Sequence, residues 1–156
     1  MKKLLFTAIF AFVCTWISAQ TLKDEVAYVQ QIWGKDKKAL VNEVLKLNTE
    51  EGNKFWPLYD AYQTERMKIG QERVAAIKGY ADNYNNMTDD KAKDLAMQLL
   101  KNNHVLNKLQ KSYLKKMSKN VSGIRAVQFL QLETYIDNML KAAISDELPF
   151  MPDPKK

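Results

Sequence analysis

Between Leu22 and Glu147 this chain carries one proline, Pro57, and its apolar residues recur every three or four positions. A helix is what that pattern permits. No stretch shows the period-two alternation of a half-buried strand, and no glycine-rich phosphate loop is present. Five glycines and four prolines leave most segments with nothing to stop a helix, and Pro149, Pro152 and Pro154 gather at the C-terminus. The expected class is all-α.

Four amphipathic helices can be read. The first spans about Leu22 to Leu47. Thr21 and Asp24 have the spacing of a cap and its partner, Leu22, Val26, Val29, Trp33, Leu40, Val44 and Leu47 carry its apolar positions, and Gly34 marks a bend. The second runs from Glu50 to about Tyr84. It is capped by Asn48 or Thr49, and its face is Phe55, Leu58, Tyr59, Tyr62, Ile69, Ala76, Ile77, Tyr80 and Tyr84. After a turn over residues 83–87, Thr88 caps a third helix striped by Leu95, Leu99, Leu106, Leu109, Tyr113 and Met117, with Asn102 as a polar interruption. Asn120 and Ser122 break and recap the chain. The fourth helix, Gly123 to about Ile144, is expected to pack through Ile124, Val127, Leu130, Tyr135, Ile136, Met139, Leu140 and Ala143. The shape expected is an elongated array of helical hairpins, for which dimerisation is the usual way to cover a thin apolar layer. Residues 149–156 are expected to be an extended tail.

The N-terminus reads as a targeting signal. Lys2 and Lys3 precede an apolar run from Leu4 to Ile17, and Ser18-Ala19-Gln20 offers cleavage after Ala19. The run is shorter than the roughly 20 residues a spanning helix needs. Cys14 does not make a lipoprotein signal, because Val13 stands where such signals carry a small residue. The expectation is export to the periplasm, a helical domain over residues 20–148, and no transmembrane segment after cleavage. Cleavage removes Cys14, the sole cysteine, and with it any thiolate or disulfide chemistry. It also lowers the net charge from +6 to +4, as Lys2 and Lys3 leave with no acid. This mild basicity is spread along the chain, and in an exported protein it speaks for solvation or acidic envelope surfaces rather than nucleic acid.

Catalytic candidates are few. His104 is the sole histidine and lies mid-helix with Asn103, Lys108 and Lys111 as polar neighbours, which is no ligand set. Asp89-Asp90 and Glu50-Glu51 open helices, where the helix dipole accounts for them. Ser112, Ser118 and Ser122 have no histidine partner nearby in sequence. We therefore expect no enzyme, no cofactor and no metal ligands. The most unusual string is Phe55-Trp56-Pro57-Leu58-Tyr59, where Pro57 lies beyond the first turn and removes a backbone bond to Asn53. Two readings are open for it: a kinked core contact with the fourth helix, or an aromatic patch for client polypeptides.

Two short motifs each open a helix: Leu47-Asn48-Thr49-Glu50-Glu51 and Val121-Ser122-Gly123-Ile124-Arg125-Ala126-Val127-Gln128. With the signal peptide and the long helices they resemble the Spy and CpxP family of small periplasmic stress proteins. That family's mark is a twice-occurring Leu-Thr-x-x-Gln helix start; here the first copy has an extra residue and Glu51 in place of glutamine. Phe55 to Tyr59, Arg125 to Glu133 and Glu147 to Pro149 look like strings of exported relatives from Bacteroidetes-type genomes. The resemblance spans nearly all of residues 20–156. It implies a four-helix, cradle-shaped homodimer that shields unfolded or stressed envelope proteins without ATP. The alternative it implies is an envelope-stress or heavy-metal sensor, an adaptor bound to a membrane sensor kinase or anti-sigma factor. On the chaperone reading, clients would meet aromatic and basic side chains together, with Phe55, Trp56, Tyr59, Arg66 and Arg73 as the candidate contacts.

Overall fold

A computed structural model of the chain describes residues 37–153. The predicted signal peptide, the first part of the first predicted helix and residues 154–156 lie outside the described residues. Within them the fold is all-α: α1 over residues 37–45, α2 over Thr49–Asn83, a short 3-10 turn over Tyr84–Asn86, α3 over Asp89–Asn120 and α4 over Gly123–Glu147. No strand occurs among the described residues. None of their helices is long and apolar enough to cross a membrane.

Local chemistry sets the boundaries. α1 ends at Leu45, two residues earlier than the apolar spacing predicts, because Lys46 turns into the left-handed region with φ of 45°. α2 then opens on a reciprocal cap. The Glu51 N–H donates to Asn48 Oδ1 at 2.9 Å, and the Asn48 N–H donates to Glu51 Oε2 at 3.0 Å. Thr88 Oγ1 accepts from the Lys91 N–H, and Ser122 Oγ accepts from the Arg125 N–H at 3.2 Å. α2 passes through Pro57, which is exposed, so water can reach the Asn53 carbonyl that the ring leaves unbonded. α4 runs three residues further than predicted and stops before Pro149.

α2 and α3 form an antiparallel hairpin. At its closed end a Cβ on Gly79 would come within 3.2 Å of Leu95 Cδ2, a measure of how closely the two helices approach. α4 returns along α3 and so runs parallel to α2, with Glu51 beside Arg125, Tyr62 beside Glu133 and Arg66 beside Asp137. α1 runs antiparallel to α2: Lys37 meets Gln63, Lys38 meets Asp60, and the Leu45 carbonyl meets Arg125. One contiguous core joins Val41 and Leu45 of α1, Phe55, Tyr59, Tyr62 and Ile69 of α2, Leu106, Leu109, Tyr113 and Met117 of α3, and Ala126 and Phe129 of α4.

Candidate functional site

The five residues proposed as client contacts do not share one open surface. Phe55 and Tyr59 are buried, and their rings meet Phe129 of α4 at centroid distances of 5.5 and 5.9 Å. Of the two readings of the aromatic string, the geometry gives the core contact with α4. Trp56 is half-buried, edge-on to Phe55 and Tyr59, with Lys38 Nζ 5.1 Å from its ring centroid. Arg66 is committed to Asp137 at 2.8 Å, and Arg73 donates to Asn103 Oδ1 at 3.0 Å. Burial lowers the pKa of the Arg73 guanidinium, an effect that Asp137 opposes. Phe55 and Tyr59, at 0 and 3% exposure, belong to the core of this fold rather than to its surface.

The polar side chains that α4 sends inward form a bridge to α1 and α2. Glu133 is 3% exposed; its Oε1 lies 2.6 Å from Lys37 Nζ, and its Oε2 accepts from the Tyr62 hydroxyl at 3.0 Å. Asp137 takes Arg66 on one oxygen and Lys141, 2.6 Å away, on the other. Burial raises the pKa of Tyr62 well above the usual phenol range, and the Glu133 carboxylate beside it adds to the effect. Arg125 forms a second hub: Nε and Nη2 bind the two oxygens of Glu51, and Nη1 donates to the Leu45 carbonyl at 2.6 Å and to Gln128. The bond from Arg125, then the Asn48 N–H, holds the Glu51 carboxyl below the usual carboxylate range. The two helix-start motifs, distant in sequence, therefore meet through one ion pair. No buried side-chain polar atom among the described residues lacks a partner.

No group of three or more His, Cys, Asp or Glu residues that could hold a metal occurs among the described residues. His104 is exposed. A shallow groove of about 470 Å³ lies between α2 and α3, lined by Glu65, Lys68, Ile69, Val105, Lys108, Leu109 and Ser112, and it is open to solvent. Tyr113 donates to Glu65 nearby at 2.7 Å.

The outward face of α4 departs most from expectation. Ile124, Val127, Tyr135 and Met139, predicted as packing positions, are 74, 46, 61 and 47% exposed. Gln131, Thr134, Asn138 and Ala142 lie exposed among them, so this face carries no charge from Ile124 to Ala142. The inward positions are Ala126, Phe129, Glu133, Ile136 and Asp137. The correction has a physical cause. Lys37, Tyr62, Arg66 and Lys141 satisfy two carboxylates in the interior, which turns the opposite, apolar side outward. Sequence reasoning missed this surface, yet a signal was present. α4 has apolar residues on every side, more than a helix packed on one face can cover.

Comparison of the chain with protein-family models, with curated proteins and with solved structures finds no match.

Proposed function

We propose that this chain is an exported, ATP-independent binding protein for unfolded or stressed envelope polypeptides, and that they dock on the outward face of α4. The observation that carries this reading is the uncharged, exposed row of Ile124, Val127, Tyr135 and Met139 on a helix whose carboxylates point inward. Exposed apolar side chains gathered on one uncharged helix face mark a place of interaction. A tyrosine supplies a broad ring with a polar tip, and a methionine adapts its shape, which suits many clients held weakly. The resemblance to the Spy and CpxP family and the predicted signal peptide support the same reading. The family likeness also implies a homodimer, and a second copy on this face would compete with clients.

The test is light scattering of an unrelated denatured protein diluted into buffer, with and without residues 20–156 at a measured oligomeric state, and without nucleotide. Suppression of aggregation at near-stoichiometric amounts is the expected result. Absence of suppression, with one envelope protein captured tightly, would replace this reading with that of a signalling adaptor.

A further inference from the structure

From Leu95 to Leu132 the chain carries no aspartate or glutamate, while Lys101, Lys108, Lys111, Lys115, Lys116 and Lys119 all fall in that stretch. α2, the other arm of the hairpin, is built differently. It mixes both signs and pairs Lys54 with Glu50 and Lys78 with Asp82, four residues apart. A face that serves only solvation takes that form. On α3 the residues four apart are Lys111, Lys115 and Lys119, and like charges at that spacing repel.

The lysines form a row. Lys101, Lys108, Lys111, Lys115 and Lys119 are exposed and fall within about 80° of the helix circumference, on the side away from the buried Leu106, Tyr113 and Met117. From Lys101 to Lys119 the row extends about 27 Å at 1.5 Å per residue. No carboxylate among the described residues pairs with any of the five. Lys116 is turned aside, its Nζ 4.2 Å from the centroid of the Tyr113 ring. Apolar side chains accompany the row. Met97 and Leu100 are 58 and 62% exposed, and Val105 shares with Lys108 the groove that Ile69 and Leu109 also line. The acid of that groove, Glu65, accepts from the Tyr113 hydroxyl.

We propose that this face of α3 docks on an anionic lipid surface. A straight row of cations without neighbouring acids is complementary to a plane of negative headgroups. Four to eight such cations on one amphipathic helix are the usual signature of acidic headgroup binding. Lysine stems, with Met97 and Leu100 beside them, can bury carbon at headgroup depth while the ammonium groups meet phosphate. An acidic polypeptide calls for groups that fix its register, above all the planar fork of arginine. The row has no arginine, only the point charges of lysine. This inference rests on α3 alone and stands whether or not clients dock on α4.

The test is co-sedimentation of the chain, purified after expression of the full sequence, with vesicles of equal parts phosphatidylglycerol and phosphatidylcholine. The chain should sediment with these vesicles and stay in solution with vesicles of phosphatidylcholine alone. Salt at about 0.5 M should release it, because exposed charges are then screened. A lysine near an anionic surface strengthens binding by about fivefold, so Lys108→Gln with Lys115→Gln should weaken it by about 25-fold. Lys46→Gln with Lys54→Gln removes the same charge away from α3 and should weaken it by less than about threefold. Circular dichroism melts check that both variants fold. Equal weakening by the two pairs would overturn the proposal by leaving net charge alone as the cause. Equal sedimentation with uncharged vesicles would overturn it in favour of apolar insertion. Binding to polyglutamate without binding to the anionic vesicles would assign the row to an acidic polypeptide instead.

Discussion

α3 and α4 pack side by side but bury different kinds of residue. α3 buries Leu106, Leu109, Tyr113 and Met117 with one amide, Asn102, and no charge, and exposes Lys101, Lys108, Lys111, Lys115 and Lys119 along with Met97, Leu100 and Val105. α4 buries Glu133 and Asp137 beside Phe129 and Ile136, and exposes Ile124, Val127, Tyr135 and Met139. The comparison separates two demands on a helix. Folding requires that whatever faces inward be satisfied, by van der Waals contact or by a close partner charge, and both helices meet that requirement. Folding does not require an apolar outer face, so the one on α4 calls for an explanation in terms of what it meets.

The largest expected effects test this division at its core. Phe129→Ala should lower the unfolding free energy by about 3–5 kcal/mol in urea titration, since it removes a ring packed against Phe55, Tyr59 and Tyr62. Tyr135→Ala, one helix face away, should change it by less than about 0.5 kcal/mol. Similar losses for the two would erase the distinction between inner and outer faces.

Glu133→Ala should cost about 3–5 kcal/mol, because it strands the Lys37 ammonium, whose side chain is only 11% exposed, and the Tyr62 hydroxyl. Lys54→Ala breaks an exposed pair with Glu50 and should cost under about 1 kcal/mol. If Glu133→Ala were as mild as Lys54→Ala, the inward carboxylate would not organise α4.

Alkaline unfolding gives a pH test. Burial first, and the bond to Glu65 second, push the Tyr113 phenol up to about 12. Tyr59 and Tyr62 also rise, again chiefly through burial, with Glu133 adding to it. An unfolded tyrosine ionises near pH 10, so above that pH the unfolded chain releases protons that the native chain keeps. The stability these groups contribute is full below about pH 10 and falls as pH rises toward 12 and beyond. Thermal melts from pH 9 to 11.5 should show this decline, and it should be shallower in Tyr113→Phe. A decline unchanged by Tyr113→Phe would remove that phenol from the account.

The smallest effect lies at the α1 terminus. Lys46→Gly should raise stability by about 1 kcal/mol, because Lys46 carries a Cβ in the left-handed region. A loss of stability would mean that its side chain contributes more than its backbone strain costs.

What could be read from residues alone divides along the same line. The third helix was legible because its lysines and its apolar stripe fall on opposite faces, and Thr88 with Asp89 and Asp90 marks its start. The start of α2 was legible for the same reason, although the reciprocal bond between Asn48 and Glu51 needed coordinates. The inner face of α4 was not legible. Spacing ranks Tyr135 and Met139 above Glu133 and Asp137 as core, and only the positions of Lys37, Arg66 and Tyr62 across the interior reverse that order. The aromatic string named the right residues, and its packing on Phe129 turned a possible contact surface into core.

The central claim is that clients bind the outward face of α4, and the direct measurement is aggregation suppression by a chain altered only there. Ile124→Glu with Tyr135→Glu should abolish suppression of a denatured client while leaving the thermal midpoint within a few degrees of the parent chain. Full suppression by that folded double variant would contradict the account and place client binding elsewhere on the molecule.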